Sequence, residues 1–245
     1  MLLRSLLLPC LLALPCAGAD SAFDEKARAE MLARFSADEA ALSAQLEKSP
    51  ASVALHSRRG DARLFLARFT EAVADYEKMI ALDAAMDAPH WRLGIADYLA
   101  GDFAKSARQF AKYQAHESGD RENGIWHFLA NARATSVEKA RAEMIAFTRF
   151  DREPFPALYE MFAGKKTGAE VFAEVEKKGL AKNAGVMFFA NYYVGLNEQL
   201  LGDVKAARAH LQRAVVDGWT PDAGGGAGYM WQVARVQFDL LAREK

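Results

Sequence analysis

The chain has 245 residues, of which 51% are apolar and 26% charged, and its formal net charge is −1. That length suits one large or two small domains. The near-neutral balance gives no electrostatic argument for nucleic acid, which normally needs a basic face, and none for an anionic membrane surface.

Residues 1–19 form a unit of their own. Arg4 gives a positive start, Leu6 to Pro15 is almost wholly apolar, and Ala17-Gly18-Ala19 closes the segment. This is the pattern of a secretory signal peptide with an A-x-A site, which predicts cleavage after Ala19. The apolar run falls short of the about 20 residues a transmembrane helix needs, and no later segment approaches that length. Both cysteines, Cys10 and Cys16, lie in this leader, so the mature chain is expected to carry no disulfide, catalytic thiol or thiolate-bound metal. Pro15 stands just before Cys16, where a lipidation signal wants a small residue, which argues against a lipoprotein anchor.

From Phe23 to Lys48 the chain is rich in strong helix formers. Met31, Phe35, Leu42 and Leu46 recur at the spacing of one apolar helix face, and Pro50 ends the run. A self-similarity of 34 residues then takes over. Gly60 falls over Gly94, Phe69 over Phe103, Ala72 over Ser106 and Tyr76 over Phe110. A fixed period of this length marks stacked supersecondary units. Successive units are read at 53–85, 87–118, 121–150 (turn at Thr135-Ser136), a degenerate pair at 154–179 joined at Gly164, and 187–217. Residues 20–50 are expected to cap one end. At the other, 219–245 reads as a glycine-rich linker, Gly224 to Gly228, followed by a capping helix from Tyr229 to about Arg243. No stretch alternates with a period of two, so no sheet is expected. The fold class is therefore all-α, with antiparallel helix pairs stacked into a superhelix between capping helices. Gly60, Gly94, Gly195 and Ala72 are read as small residues where paired helices cross closely.

The segments Trp91-Arg92-Leu93-Gly94 to Phe110 and Tyr193-Val194-Gly195 to Ala214 resemble the tetratricopeptide repeat (TPR), and the resemblance spans about 37–217. It implies a right-handed superhelix that binds a protein or peptide in its concave groove. A narrower likeness rests on Pro154-Phe155-Pro156-Ala157-Leu158-Tyr159 to Gly164, leading into Asn191-Tyr192-Tyr193-Val194-Gly195, with a lone helix after the next pair. That order is similar to bacterial envelope TPR adaptors of the NlpI type. The chain departs from them in its lipidation site and in the glycine run.

In such an array the first helix of each pair lines the groove. The resemblance places Arg58, Asp61 and Phe65 there from the first unit, and Trp91, Arg92, Ile95 and Tyr98 from the second. Trp126 and Leu129 follow from the third, and Tyr192, Tyr193 and Leu196 from the last. Aromatic residues and arginine are the side chains enriched at binding hot spots. The carboxylate clamp of chaperone-binding repeats is excluded, because Ser57, Asp61, Trp91 and Ile95 stand where it needs Lys and Asn, and only Arg58 and Arg92 remain. None of the five histidines has an H-x-x-x-H or H-E-x-x-H spacing. Gly164-Lys165-Lys166-Thr167 lacks the leading glycine and the strand of a phosphate loop, and no serine sits in a G-x-S-x-G elbow. The sequence thus predicts an exported, periplasmic or secreted, non-catalytic adaptor for a protein or peptide, with no cofactor and no metal. The alternative is a self-associating homo-oligomer whose groove is partly filled by its own chain.

Overall fold

The computed structural model describes residues 24–149, 152–216 and 225–243. The signal segment, its cleavage point after Ala19, Cys10, Cys16 and Gly224 lie outside the described residues. Among those residues the protein is all-helical, with twelve α-helices and no strand.

Helix α1 (Glu25–Lys48) is started by Asp24, whose carboxylate accepts from the Ala27 amide at 2.7 Å. The next four helices form two pairs, α2 (Val53–Phe65) with α3 (Phe69–Leu82), and α4 (Trp91–Ala100) with α5 (Phe103–His116). Each pair closes on the same contact. A Cβ on Gly60 would stand 2.6 Å from the Tyr76 ring, and one on Gly94 would stand 2.7 Å from the Phe110 ring. The helices approach closely because hydrogen is all that either position has room for. The Ser106 hydroxyl seals the second crossing by donating to the Gly94 carbonyl at 2.7 Å.

The turns repeat as well. Gly101 (φ +87°) ends α4, and Gly202 (φ +91°) ends a later helix after Leu201, both in the left-handed region, where glycine carries no steric penalty. The first pair makes the same turn at Ala67 (φ 58°), 34 residues before Gly101 and without the glycine.

The third unit departs from its expected form. Helix α6 (Arg121–Ala134) is followed by α7 (Val137–Ala142), which lasts six residues instead of continuing toward residue 150. The chain beyond it carries Ile145, Phe147 and Thr148, poor helix formers. It crosses α6 as an irregular strap. The Phe147 ring fills the space over Gly124, meets Tyr159 edge-on at 5.0 Å, and the Tyr159 hydroxyl donates to the Ile145 carbonyl at 2.7 Å. Partial burial of Phe147 and a satisfied carbonyl replace the missing helical turns.

Two shorter helices follow, α8 (Phe155–Phe162) and α9 (Gly168–Lys177), and then the pair α10 (Ala184–Leu201) and α11 (Val204–Val215). A capping box starts α9: Thr167 Oγ1 accepts from the Glu170 amide and Glu170 Oε2 accepts from the Thr167 amide. The last helix, α12, spans Gly225–Leu241. Gly225, Gly226 and Gly228 are therefore helical, and the linker expected from Gly224 to Gly228 is overturned for these residues.

Helix α12 also sits elsewhere than at a far end. Besides packing on α11, it touches α1 and α2: Arg28 pairs with Asp239 at 2.9 Å, and Arg235 Nη2 donates to the Phe65 carbonyl at 2.5 Å. Tyr229, Met230, Trp231, Val233, Ala234 and Val236 are all buried, along with Arg235 and Gln237 of the same helix. The rest of the fold therefore encloses most of α12, with Arg235 paired with Asp239 inside it.

Candidate functional site

The groove residues read from the sequence separate into two neighbouring groups, with Trp91 shared between them. The first gathers on Tyr229 of α12. Its ring packs edge-on to Phe65 at 5.1 Å and to Trp91 at 4.9 Å. The Arg92 guanidinium lies 5.5 Å from the Trp91 centroid and 5.3 Å from that of Tyr229, and pairs with Asp61 at 2.8 Å. Asp61 also accepts from the Tyr76 hydroxyl at 2.7 Å. With that proton so placed, the contact between the Tyr76 and Tyr229 hydroxyls at 3.2 Å has Tyr229 as its donor. Burial pushes the Asp61 carboxyl above its ordinary value, against the pull of Arg92 and the Tyr76 hydrogen bond. Burial likewise holds the Tyr76 and Tyr229 phenols well up. This half of the face is filled by the protein's own last helix.

The second group borders a cavity of about 510 Å³ between α4, α6, α10 and α12. Trp91, Ile95, Trp126, Phe189 and Met230 supply its apolar wall, and Tyr113, Asp120, Glu122, Asn123, Arg152 and Gly185 complete it. Ile95 and Trp126 are buried, whereas Arg152 is exposed and Tyr113, Asp120 and Gly185 are half-buried. The cavity therefore has an apolar floor and a polar mouth.

Local chemistry at the start of α6 builds that mouth. Asp120 is the N-cap, accepting from the Glu122 amide at 2.9 Å and from Asn123 Nδ2 at 2.6 Å. Glu122 pairs with Arg152 and accepts from the Tyr193 hydroxyl at 2.5 Å. That hydroxyl accepts in turn from Trp126 Nε1 at 3.1 Å. A hydrogen-bonded chain thus joins the indole of the floor to the carboxylate of the mouth. Arg152 is held against the far wall, 4.1 Å from the Phe155 centroid and 5.7 Å from that of Phe189. Burial, and then the nearby Glu122 carboxylate, drives the Tyr193 phenol well above its ordinary range, so it stays a neutral donor.

The other predicted positions lie elsewhere. Arg58 is exposed on α2 and belongs to neither group. Tyr98 packs edge-on against Phe103 and Trp126 at 5.3 and 5.4 Å, and Leu129 and Leu196 are in the core. Tyr192 is buried, with its hydroxyl donating to Gln237 Oε1 at 2.5 Å. Tyr193 does not border the cavity itself but touches its wall through Glu122, Trp126 and Phe189.

Sequence reasoning missed Tyr229 and the whole polar mouth. The apolar richness of Tyr229 to Val236, interrupted only by Gln232 and Arg235, was a readable signal that α12 is largely enclosed. Arg152 and Gly185 had none, since they meet α6 only through the turn of the intervening chain. Among the described residues no group of three or more His, Cys, Asp or Glu side chains is placed to hold a metal ion. No helix among them is long and apolar enough to cross a membrane. The cavity combines aromatic walls with a few convergent polar groups, the composition of binding pockets in general. No family model matches the chain, and no curated protein matches it either.

Proposed function

We propose that the protein is an exported, non-catalytic scaffold of the tetratricopeptide kind that binds a protein or peptide partner on its concave face. Recurrence supports the architectural part of this reading: the Gly60–Tyr76 and Gly94–Phe110 crossings are the same contact one period apart, and Gly195 meets Leu211 at the same offset. The leader at 1–19 supports export to a periplasm or to the exterior.

The observation that carries the binding reading is the cavity. Three residues that the resemblance assigns to a groove, Trp91, Ile95 and Trp126, border one opening of about 510 Å³. With Tyr229 occupying the neighbouring stretch, the partner engages what α12 leaves uncovered. Large side chains such as Trp and Tyr dominate binding energetics where they can be desolvated, and this floor offers such a place.

The test is a plug at the mouth. Gly185→Trp is expected to abolish capture of envelope proteins by the mature chain, while far-ultraviolet circular dichroism and thermal unfolding match the wild type. Capture of the same proteins by a folded Gly185→Trp variant would remove the cavity from the function.

A further inference from the structure

The guanidinium of Arg92 is fixed on three sides and used on only one. It lies 5.5 Å from the Trp91 centroid and 5.3 Å from that of Tyr229, two rings that meet edge-on. Its Nη1 donates to Asp61 Oδ2 at 2.8 Å, and the Tyr76 hydroxyl fixes Asp61 in turn. These contacts remove in advance the freedom that a long side chain loses when it binds.

The other edge of the group is open. Arg92 Nε and Nη2 make no hydrogen bond among the described residues and are not buried, and the side chain keeps 36% of its exposure. Nε and Nη2 form the edge that grips a carboxylate through two parallel bonds. The protein uses this grip one unit earlier: Arg59 holds the Asp75 carboxylate with Nε at 3.0 Å and Nη2 at 2.7 Å.

Charge balance points the same way. Arg58 is exposed one turn before Asp61 on α2, 34 residues before Arg92, and pairs with no carboxylate among the described residues. This stretch thus carries two guanidiniums against the one carboxylate of Asp61. Asp87 is already paired with Lys112. His90 adds no charge at neutral pH, since burial and then Arg92 lower it to about 4.

Resting on the binding reading above, we infer that the partner presents an aspartate or glutamate side chain to the open edge of Arg92, with Arg58 beside it, next to the apolar group that enters the cavity. Trp91 joins the two places, because it borders the cavity and its ring meets the guanidinium.

Three capped peptides test this: N-acetyl-Phe-Glu-Glu-amide and its Phe-Gln-Gln and Phe-Lys-Lys counterparts. Each is titrated into the full mature chain at low salt, with tryptophan emission and calorimetry as readouts; the probes contain no tryptophan, so the emission reports on the protein. The Glu peptide is expected to bind about three- to tenfold more tightly than the Gln peptide, with the Lys peptide weakest, and the preference should shrink as salt rises. Arg92→Gln should cut the Glu-over-Gln preference by about threefold or more, and Arg92→Lys, which keeps the charge without the two-donor edge, should restore only part of it. Arg58→Gln changes an exposed side chain, so it should leave thermal unfolding unaltered while cutting the preference by about twofold.

Equal binding of the Glu and Gln peptides would overturn the inference, as would a preference untouched by Arg92→Gln and Arg58→Gln alike. It would also fall if N-acetyl-Phe-Gln-Gln with a free terminal carboxylate matched the Glu peptide, since a chain end would then suffice. Absence of binding by any peptide would overturn it too. None of these variants fills the cavity, so the binding reading itself stands or falls separately, on the capture experiment with Gly185→Trp.

Discussion

Asp97 allows the energetics of this fold to be tested at one atom. It lies on α4 with 3% of its surface exposed, and its Oδ1 is buried without a hydrogen bond. Its place in the period is that of Arg63, which in the first pair meets the buried Asp75 carboxylate at 2.8 Å. Burial pushes the Asp97 carboxyl from 3.8 to about 7; Lys105 pulls it down, while Glu77 and Asp102 push it further up. A rise of about three pKa units corresponds to a ceiling of about 4 kcal/mol between the two protonation states. Relaxation of the surroundings and the pull of Lys105 on the ionised form reduce this to about 2 kcal/mol. The sign follows from linkage. Below pH 4 both folded and unfolded chains hold the proton, and the group costs nothing. Between pH 4 and 7 the unfolded chain releases it while the folded chain keeps it, so stability falls as pH rises and levels off above 7. Asp97→Asn keeps the shape of the neutral acid and cannot ionise. Urea unfolding of both proteins from pH 4 to 8 should show no difference at pH 4 and an advantage of about 2 kcal/mol for the variant at pH 8. A constant difference across the range, or a less stable variant at pH 8, would refute the reasoning and mean that ionised Asp97 is held by Lys105.

Three further outcomes are expected. Gly94→Ala should destabilise by about 1–3 kcal/mol in thermal unfolding, because its new methyl meets the Phe110 ring at 2.7 Å and overpacking outweighs the gain in helix propensity. Ala67→Gly should raise stability by up to about 1 kcal/mol, since it relieves a left-handed alanine at the cost of a more flexible unfolded chain; a loss in urea midpoint would contradict this. Tyr229→Ala should cost about 3–5 kcal/mol by emptying the space between Phe65 and Trp91 and removing the contact to Tyr76. Limited proteolysis should then cut α12 faster than it does in the wild type.

Much of the helical frame was legible in the chain because its causes are local. The small residues at Gly60 and Gly94, the turn glycines Gly101 and Gly202, and the apolar spacing of Met31, Leu42 and Leu46 each act within one helix or one pair. Two stretches were misread where a distant contact outweighed local preference. The segment after Ala142 leaves the helix so that Phe147 can cover Gly124 and meet Tyr159. Gly225 to Gly228, flexible by composition, is helical because the buried run beginning at Tyr229 anchors the helix they open.

The sequence by itself determined the all-helical class and the 34-residue period, because side-chain size and periodicity dictate how neighbouring helices cross; the resemblance it carries pointed to three of the residues that border the cavity. Only the tertiary structure decided that α12 returns to the first helices and lays Tyr229 over Phe65 and Trp91. It likewise decided that Arg152 meets Glu122, 30 residues away along the chain. Such contacts join residues far apart in the chain, and no local preference of either partner encodes them.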